Sequence, residues 1–473
     1  MSYSRRDFLR GSACALGGVA LASSLESFGL VGALAQGGAA SDYRALVCVF
    51  LNGGNDCNNM LVDLNQLNGP TGSTTTGYNN VRNGAGLGIA SSLLPISPVG
   101  GGSYGLHPNM PEFQTLFGQG RLAIVSNTGP LVEPLTRTTY QNGTGKKPLQ
   151  LFSHSDQIGS WQSSIANSVA QTGWGGRMAD KTGGLNGAAT FPQVITIAGI
   201  SLFVTGVTSR PLAIADSSTT LANVLPLTMT GTNADNSARR TAFDQIRALD
   251  ANFKLVKAAA DTRSGALAAR TALQSVSPVI STTFPNTSLG RQLLQVARVI
   301  KASTDPLAGI NMKRQIFFCN VGGFDTHSNQ LTAQATLLQQ ISQAMSAFYL
   351  ATGELGLQDK VTTFTLSDFG RTFQPSGTGA GVVGSDHGWG SHHFVLGGAV
   401  TGGRLYGTYP TLALGGPDDT DSGSSARGRW IPTTSVEQYA ATLATWYGLP
   451  ASDFPAVFPL LDRFPTPNLG FMS

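Results

Sequence analysis

The chain has 473 residues, a formal net charge of +4, only 12% charged side chains, and 59 glycines and 23 prolines. No block of Lys or Arg stands out, which argues against nucleic acid as a partner. The length allows a large core, either as one long α/β domain or as two or three smaller units.

In chain order, residues 1–35 read as a leader. Ser4-Arg5-Arg6-Asp7-Phe8-Leu9-Arg10 is a twin-arginine export signature, followed by a mildly apolar stretch over 11–25 and the small-residue pattern Ala33-Leu34-Ala35 before Gln36. A membrane span needs about 20 apolar residues, and this stretch is short and rich in Gly and Ser, so a cleaved leader is favoured over an anchor. The expectation is export through the twin-arginine translocase to the periplasm or the extracellular space, with no stable transmembrane segment after cleavage. Cys14 leaves with the leader. Cys48, Cys57 and Cys319 remain, too few for a disulfide framework. Cys48 and Cys319 lie in apolar runs and read as buried thiols; Cys57, directly after Asp56, is the one placed to be exposed in a site.

Runs rich in Val, Ile, Leu and Phe at 45–51, 122–126, 193–197, 315–321, 361–366 and 394–396 read as buried strands. Helical patterns separate them, including Leu337, Leu338, Ile341, Met345 and Phe348 after His327. A terminal helix is announced by a Thr434-x-x-Glu437 capping box and stopped by Gly448 and Pro450. Alternation of this kind predicts an α/β fold, doubly wound, with a mostly parallel sheet covered by helices on both faces. The single domain is expected over 42–465. Residues 237–303, rich in Ala, Leu, Arg and Gln and free of His, read as a helical insertion. Gly/Ser/Thr-rich loops are expected at 69–88, 228–236 and 415–428.

All six histidines sit in short motifs, most of them with an aspartate. The first strand runs into Asn52-Gly-Gly-Asn-Asp56, where the glycines permit a tight turn that sets Asp56 just past the strand end. The fourth runs into Gly322-Gly-Phe-Asp325-Thr-His327, and the fifth into Ser367-Asp368-Phe-Gly-Arg371. Asp386-His387-Gly-Trp-Gly-Ser-His392-His393 is the densest cluster. Ligands of open α/β sheets bind outside the carboxyl ends of the strands, and carboxylate with imidazole is a divalent-metal ligand set. Asp56, Asp325, His327, Asp368, Asp386, His387, His392 and His393 are therefore the candidate ligands, with adjacent His392 and His393 expected to point in different directions. Asp325 could also cap the following helix, a role compatible with ligation, which is the favoured one. Arg371 offers a planar fork for an oxyanion or a salt bridge to a neighbouring aspartate. Ser153-His154-Ser155-Asp156 opens a predicted helix. Ser153 is favoured as its cap and is also a candidate nucleophile, and His154 is favoured as a site residue. His107, before Pro108, reads as a structural hydrogen-bonding residue.

Together, the leader, Phe-Leu-Asn-Gly-Gly-Asn-Asp56, Gly-Gly-Phe-Asp325-Thr-His327, Ser-Asp368-Phe-Gly-Arg371-Thr and Asp386-His-Gly-Trp-Gly-Ser-His-His-Phe-Val-Leu-Gly-Gly resemble the exported bacterial family called domain of unknown function 1501. That family looks like a distant branch of the alkaline phosphatase and sulfatase superfamily. The resemblance implies a doubly wound core with one or two metals at the strand ends. Asp56 matches the first-strand acid, Asp325 and His327 the middle pair, Asp368 the later strand-end acid, and the 386–393 segment the final histidine ligand. The superfamily places His or Asn after the acid matched by Asp368, where this chain has Phe369, and no sulfatase Cys-x-Pro-x-Arg is present. The expected function is a metal-dependent hydrolase of phosphate or sulfate esters, using one or two divalent ions (zinc, calcium, magnesium or manganese) and a small anionic ester substrate. The alternative is a non-catalytic envelope protein that keeps the site for a ligand or for structure.

Overall fold

The computed structural model describes residues 42–225, 234–248, 253–274, 276–379 and 381–473. The expected leader, Cys14 with it, and most of the 228–236 loop lie outside the described residues. Strands form at β1 (Arg44–Leu51), β2 (Leu61–Asp63), β3 (Leu94–Ile96), β4 (Tyr104–Leu106), β5 (Leu122–Gly129), β6 (Val194–Thr196), β7 (Leu212–Ala213), β8 (Arg314–Val321), β9 (Val361–Ser367), β10 (Arg371–Ser376), β11 (Gly384–His387), β12 (Ser391–Gly397), β13 (Leu405–Tyr406) and β14 (Thr434–Ser435).

The central sheet has the order β13-β5-β12-β9-β1-β8-β6-β7, with β14 also paired to β5. Every pairing is parallel except those of β12, which runs against β5 and β9. Successive residues of a strand face opposite sides, and both sides of β1 are buried. Ala45, Val47, Val49 and Leu51 join a core with the helices Pro111–Gly118, Ser288–Thr304 and Gln330–Glu354. Leu46, Cys48 and Phe50 join a second core with Trp174–Thr182 and Val436–Tyr447. The continuous apolar runs are thus explained by a doubly wound α/β sheet covered on both faces.

Two local expectations shift. The terminal helix Val436–Tyr447 is capped by Ser435, whose Oγ accepts from Gln438 N at 3.1 Å while Gln438 Oε1 accepts from Ser435 N at 3.0 Å. The capping box lies one residue later than Thr434/Glu437, because Glu437 is turned into the core and is 1% exposed. Gly448 ends the helix with φ +107°, as its position predicts. Within 237–303, the helices Ala234–Ala248 and Lys254–Gln274 precede Ser288–Thr304. The last belongs to the core itself, burying Leu289, Leu293, Val296 and Ile300.

Register decides where the site lies. Leu51 of β1 stands beside Val321 of β8 and Ser367 of β9, so the three strands end level. The loops carrying Asp56, Asp325 and Asp368 therefore leave the sheet at one height and side by side.

Candidate metal centre

The turn after β1 is made by Gly53 (φ +116°) and Gly54 (φ +83°). A Cβ on Gly53 would stand 2.4 Å from the Asp325 nitrogen, and one on Gly54 would meet the Phe369 ring at 2.3 Å. Only glycine allows this approach of the first loop to the other two. The Gly53 N–H also donates to Asp368 Oδ1 at 3.0 Å. After β9, the chain turns into the antiparallel ribbon β10–β11, in which Arg371 pairs with His387. His154 arrives from elsewhere, as the first residue of the helix His154–Ser163.

Three imidazoles are held in the same way. His154 Nδ1 lies 2.7 Å from Asp368 Oδ2, His387 Nδ1 lies 2.8 Å from the Phe152 carbonyl oxygen, and His327 Nδ1 lies 3.3 Å from Asp386 Oδ1. All three partners are acceptors, so each Nδ1 is placed to donate to its anchor, which turns the Nε2 edge of each ring toward the centre. The Nε2 atoms then converge on Asp325. They lie 3.5 Å (His154), 2.9 Å (His327) and 3.3 Å (His387) from its carboxylate oxygens, and those of His327 and His387 are 3.0 Å apart. His154, Asp325 and His387 form a group whose ligand atoms all lie within 4.8 Å of one another. Two imidazoles and one carboxylate gathered in this way are a donor set that could hold a divalent cation, and His327 lies beside it.

The surroundings fix these groups. Arg371, fully buried, donates to Asp325 Oδ1 at 2.6 Å and to the Gly53 and Ser385 carbonyls. Burial pushes the Asp325 carboxyl up, but the Arg371 guanidinium and the neighbouring imidazoles outweigh it and hold the pKa below the ordinary value. At Asp368 the balance is reversed: burial prevails over the bonds from His154 and Gly53, and its pKa is raised. Burial lowers that of His387, favouring the neutral, ligating form. Phe369 lies 4.9 Å from the His154 ring and 4.7 Å from that of His387, an apolar wall against both. Phe152 has φ +71°, costly for a bulky residue, and its carbonyl is the one that anchors His387.

Several expected site residues stand elsewhere. Asp56 is 1% exposed and accepts a forked pair from Arg82 at 2.6 and 3.0 Å, Gln330 Nε2 at 2.5 Å and Asn58 N at 3.2 Å. Its oxygens are saturated by protein donors and do not face the three histidines. His392 and His393 lie in the core where β12 bulges against β5. His392 Nδ1 accepts from Asn127 N at 3.0 Å, and the His393 ring lies against Trp161 at 4.6 Å. Burial lowers both to about 3, and neither side chain reaches the cluster. Asp368 and Asp386 touch the histidines at Nδ1 and so orient imidazoles instead of presenting oxygen to the centre. Asp325 does not cap the next helix, since Asn329 holds that position. Arg371 makes the salt bridge. Ser153 stands at the N-cap position without capping a backbone N–H, its Oγ donating to Asp156 Oδ2 at 2.7 Å. Cys57 is buried, and burial pushes its thiol up to about 12, which removes it as a nucleophile. Cys48 and Cys319 are buried free thiols. His107 is buried and accepts from Asn109 N at 3.1 Å. Arg82 and Gln330, which claim Asp56, carry no local sign of that role; a lone arginine in an Asn/Gly-rich loop is the whole signal.

The family model described as Protein of unknown function (DUF1501) matches residues 43–420, the span that contains every residue of this cluster. The chain belongs to the DUF1501 family. No curated protein matches it. Among solved structures, this DUF1501 member is similar to Ps i-CgsB in complex with k-i-k-neocarrahexaose (10% identity, 90% of this chain and 77% of that one, TM-score 0.35). It is also similar to a 2-O GAG sulfatase (8% identity, 88% and 74%, TM-score 0.32) and to the lipoteichoic acid synthase LtaP from Listeria monocytogenes (7% identity, 87% and 74%, TM-score 0.31). Among the described residues, no helix is long and apolar enough to cross a membrane.

Proposed function

We propose that this DUF1501 member is an exported, metal-dependent hydrolase of phosphate or sulfate esters, with its centre at His154, Asp325, His327 and His387. The observation that carries the reading is the common tethering of three histidines, each anchored at Nδ1 and aimed through Nε2 at one carboxylate. Imidazole anchored at its far nitrogen by a carboxylate or carbonyl is the usual arrangement around a ligated metal. A bound divalent ion would offset the charge of an ester oxyanion and lower the pKa of an attacking water. The chain's own groups set the stage: Asp368, the Phe152 carbonyl and Asp386 hold the tautomers, Arg371 pins Asp325, and Phe369 keeps water from one side of the rings. The N-terminus of His154–Ser163 opens at the same place, and its free N–H groups favour an anionic group there. Export rests on the twin-arginine signature in residues 1–35.

A second reading, a non-catalytic envelope protein that binds metal or an anionic ligand, is favoured by one observation. Ser153, the candidate nucleophile, spends its hydroxyl on Asp156. Metal analysis of the exported protein beside a panel of phosphate monoesters, phosphate diesters and sulfate esters separates the two. Turnover that is lost on chelation and restored by metal supports the hydrolase. Bound metal with no turnover on any ester supports the binding protein, and turnover indifferent to chelation overturns the metal-dependent reading.

A further inference from the structure

We propose that the centre takes a single ion of the zinc class, held by Nε2 of His154, His327 and His387 with a carboxylate oxygen of Asp325, and that Arg82 withholds the neighbouring strand-end acid Asp56 from any second ion. The inference rests on the metal-dependent reading and narrows it to one ion of one chemical class.

The class follows from the donors. Three imidazole nitrogens and one carboxylate suit zinc and its neighbours in the transition series. Calcium requires roughly six to eight oxygens and magnesium an octahedral, mostly oxygen shell. The buried carboxylate oxygens that could add to such a shell are engaged: Asp368 Oδ1 by Gly53 N, Asp368 Oδ2 by His154 Nδ1, and both Asp56 oxygens by Arg82.

The stoichiometry follows from which acids are already claimed by protein donors. Asp56, Asp325, Asp368 and Asp386 are the carboxylates bonded into the cluster or at the neighbouring strand end, and Arg82 and Arg371 are the guanidiniums bonded to them. Asp56 is closed to a second ion, since its side chain and that of Arg82 have no exposed surface. Freeing that carboxylate would strand a buried guanidinium.

The test uses the full chain, stripped with a chelator and titrated with Co(II) and Zn(II). Native mass spectrometry counts the ions, and the visible Co(II) spectrum reports nitrogen ligation. One ion per chain, not displaced by a large excess of Ca(II) or Mg(II), is the expected result. Two ions per chain, or displacement by either hard cation, overturns the proposal while leaving the metal-dependent reading intact. No bound ion at all brings down that reading as well. His154→Ala should weaken Co(II) binding beyond the about 10–100-fold that loss of an outer partner costs and alter its spectrum; an unchanged spectrum and affinity would remove His154 from the set. Asp56→Asn should still bind one ion, and loss of that ion from a folded variant would make Asp56 a ligand.

Discussion

His154 Nδ1 lies 2.7 Å from Oδ2 of Asp368, a carboxylate whose side chain has no exposed surface. A strand-end acid that looks like a ligand in the sequence thus acts as the anchor of a histidine brought in from 214 residues away. Asp368→Asn keeps the shape of the side chain but removes the charge, and it admits the wrong tautomer of the imidazole. Metal affinity should fall about 10–100-fold with little change in melting temperature. Affinity equal to that of the wild type would show that the pair has no part in orienting His154.

The Asp56–Arg82 fork makes the opposite prediction. Removing one partner of a fully buried pair leaves an uncompensated charge, which typically costs about 3–5 kcal/mol. Arg82→Met should therefore destabilise the fold strongly in denaturant titrations while the folded fraction keeps its metal. A mild loss of stability with loss of metal would reverse the roles assigned to these residues.

Gly53 is the tightest point of the site. Gly53→Ala forces a Cβ against the Asp325 backbone at a positive φ, where an alanine is strained, and should cost more than about 1 kcal/mol. It also shifts the N–H that holds Asp368 and the loop that carries Asp325, so metal affinity should fall together with stability. Stability and affinity both at wild-type levels would mean that the three loops do not meet this closely.

Stability should fall toward both ends of the pH range. Burial pushes the Glu437 carboxyl from its ordinary 4.5 up to about 8. Between those values the folded chain keeps a proton that the unfolded chain releases, so this contribution is full below pH 4.5 and is lost as pH rises to about 8. Glu437→Gln should raise the melting temperature at pH 8 and change it little at pH 4.5, up to ~1.4 kcal/mol for each pH unit crossed. An equal melting temperature at pH 8 would contradict the burial argument. His392 and His393 act from the other side. Burial holds their folded pKa values near 3, against an ordinary 6.5, so stability is lost as pH falls from 6.5 toward 3. Glu437→Gln should leave that acid limb in place.

The sequence by itself determined the sheet and the height of the site. Short apolar runs alternating with helical patterns predict a mostly parallel sheet, and glycine turns set Asp56 and Asp325 past their strand ends while Asp368 directly follows its own. Motif similarity reached as far as the family. Only the tertiary structure decided which acids and imidazoles face the centre. Asp56 and Asp325 follow equivalent strands in similar loops, yet Arg82 captures one and leaves the other turned toward three histidines. His392 and His393 sit in the densest motif, yet the bulge of β12 directs them into the core, while His154 is delivered by a helix from elsewhere in the chain. Strand formation depends on near neighbours and hydrophobic period, which a sequence displays. The direction of a carboxylate depends on which distant donor reaches it first, and no local pattern records that.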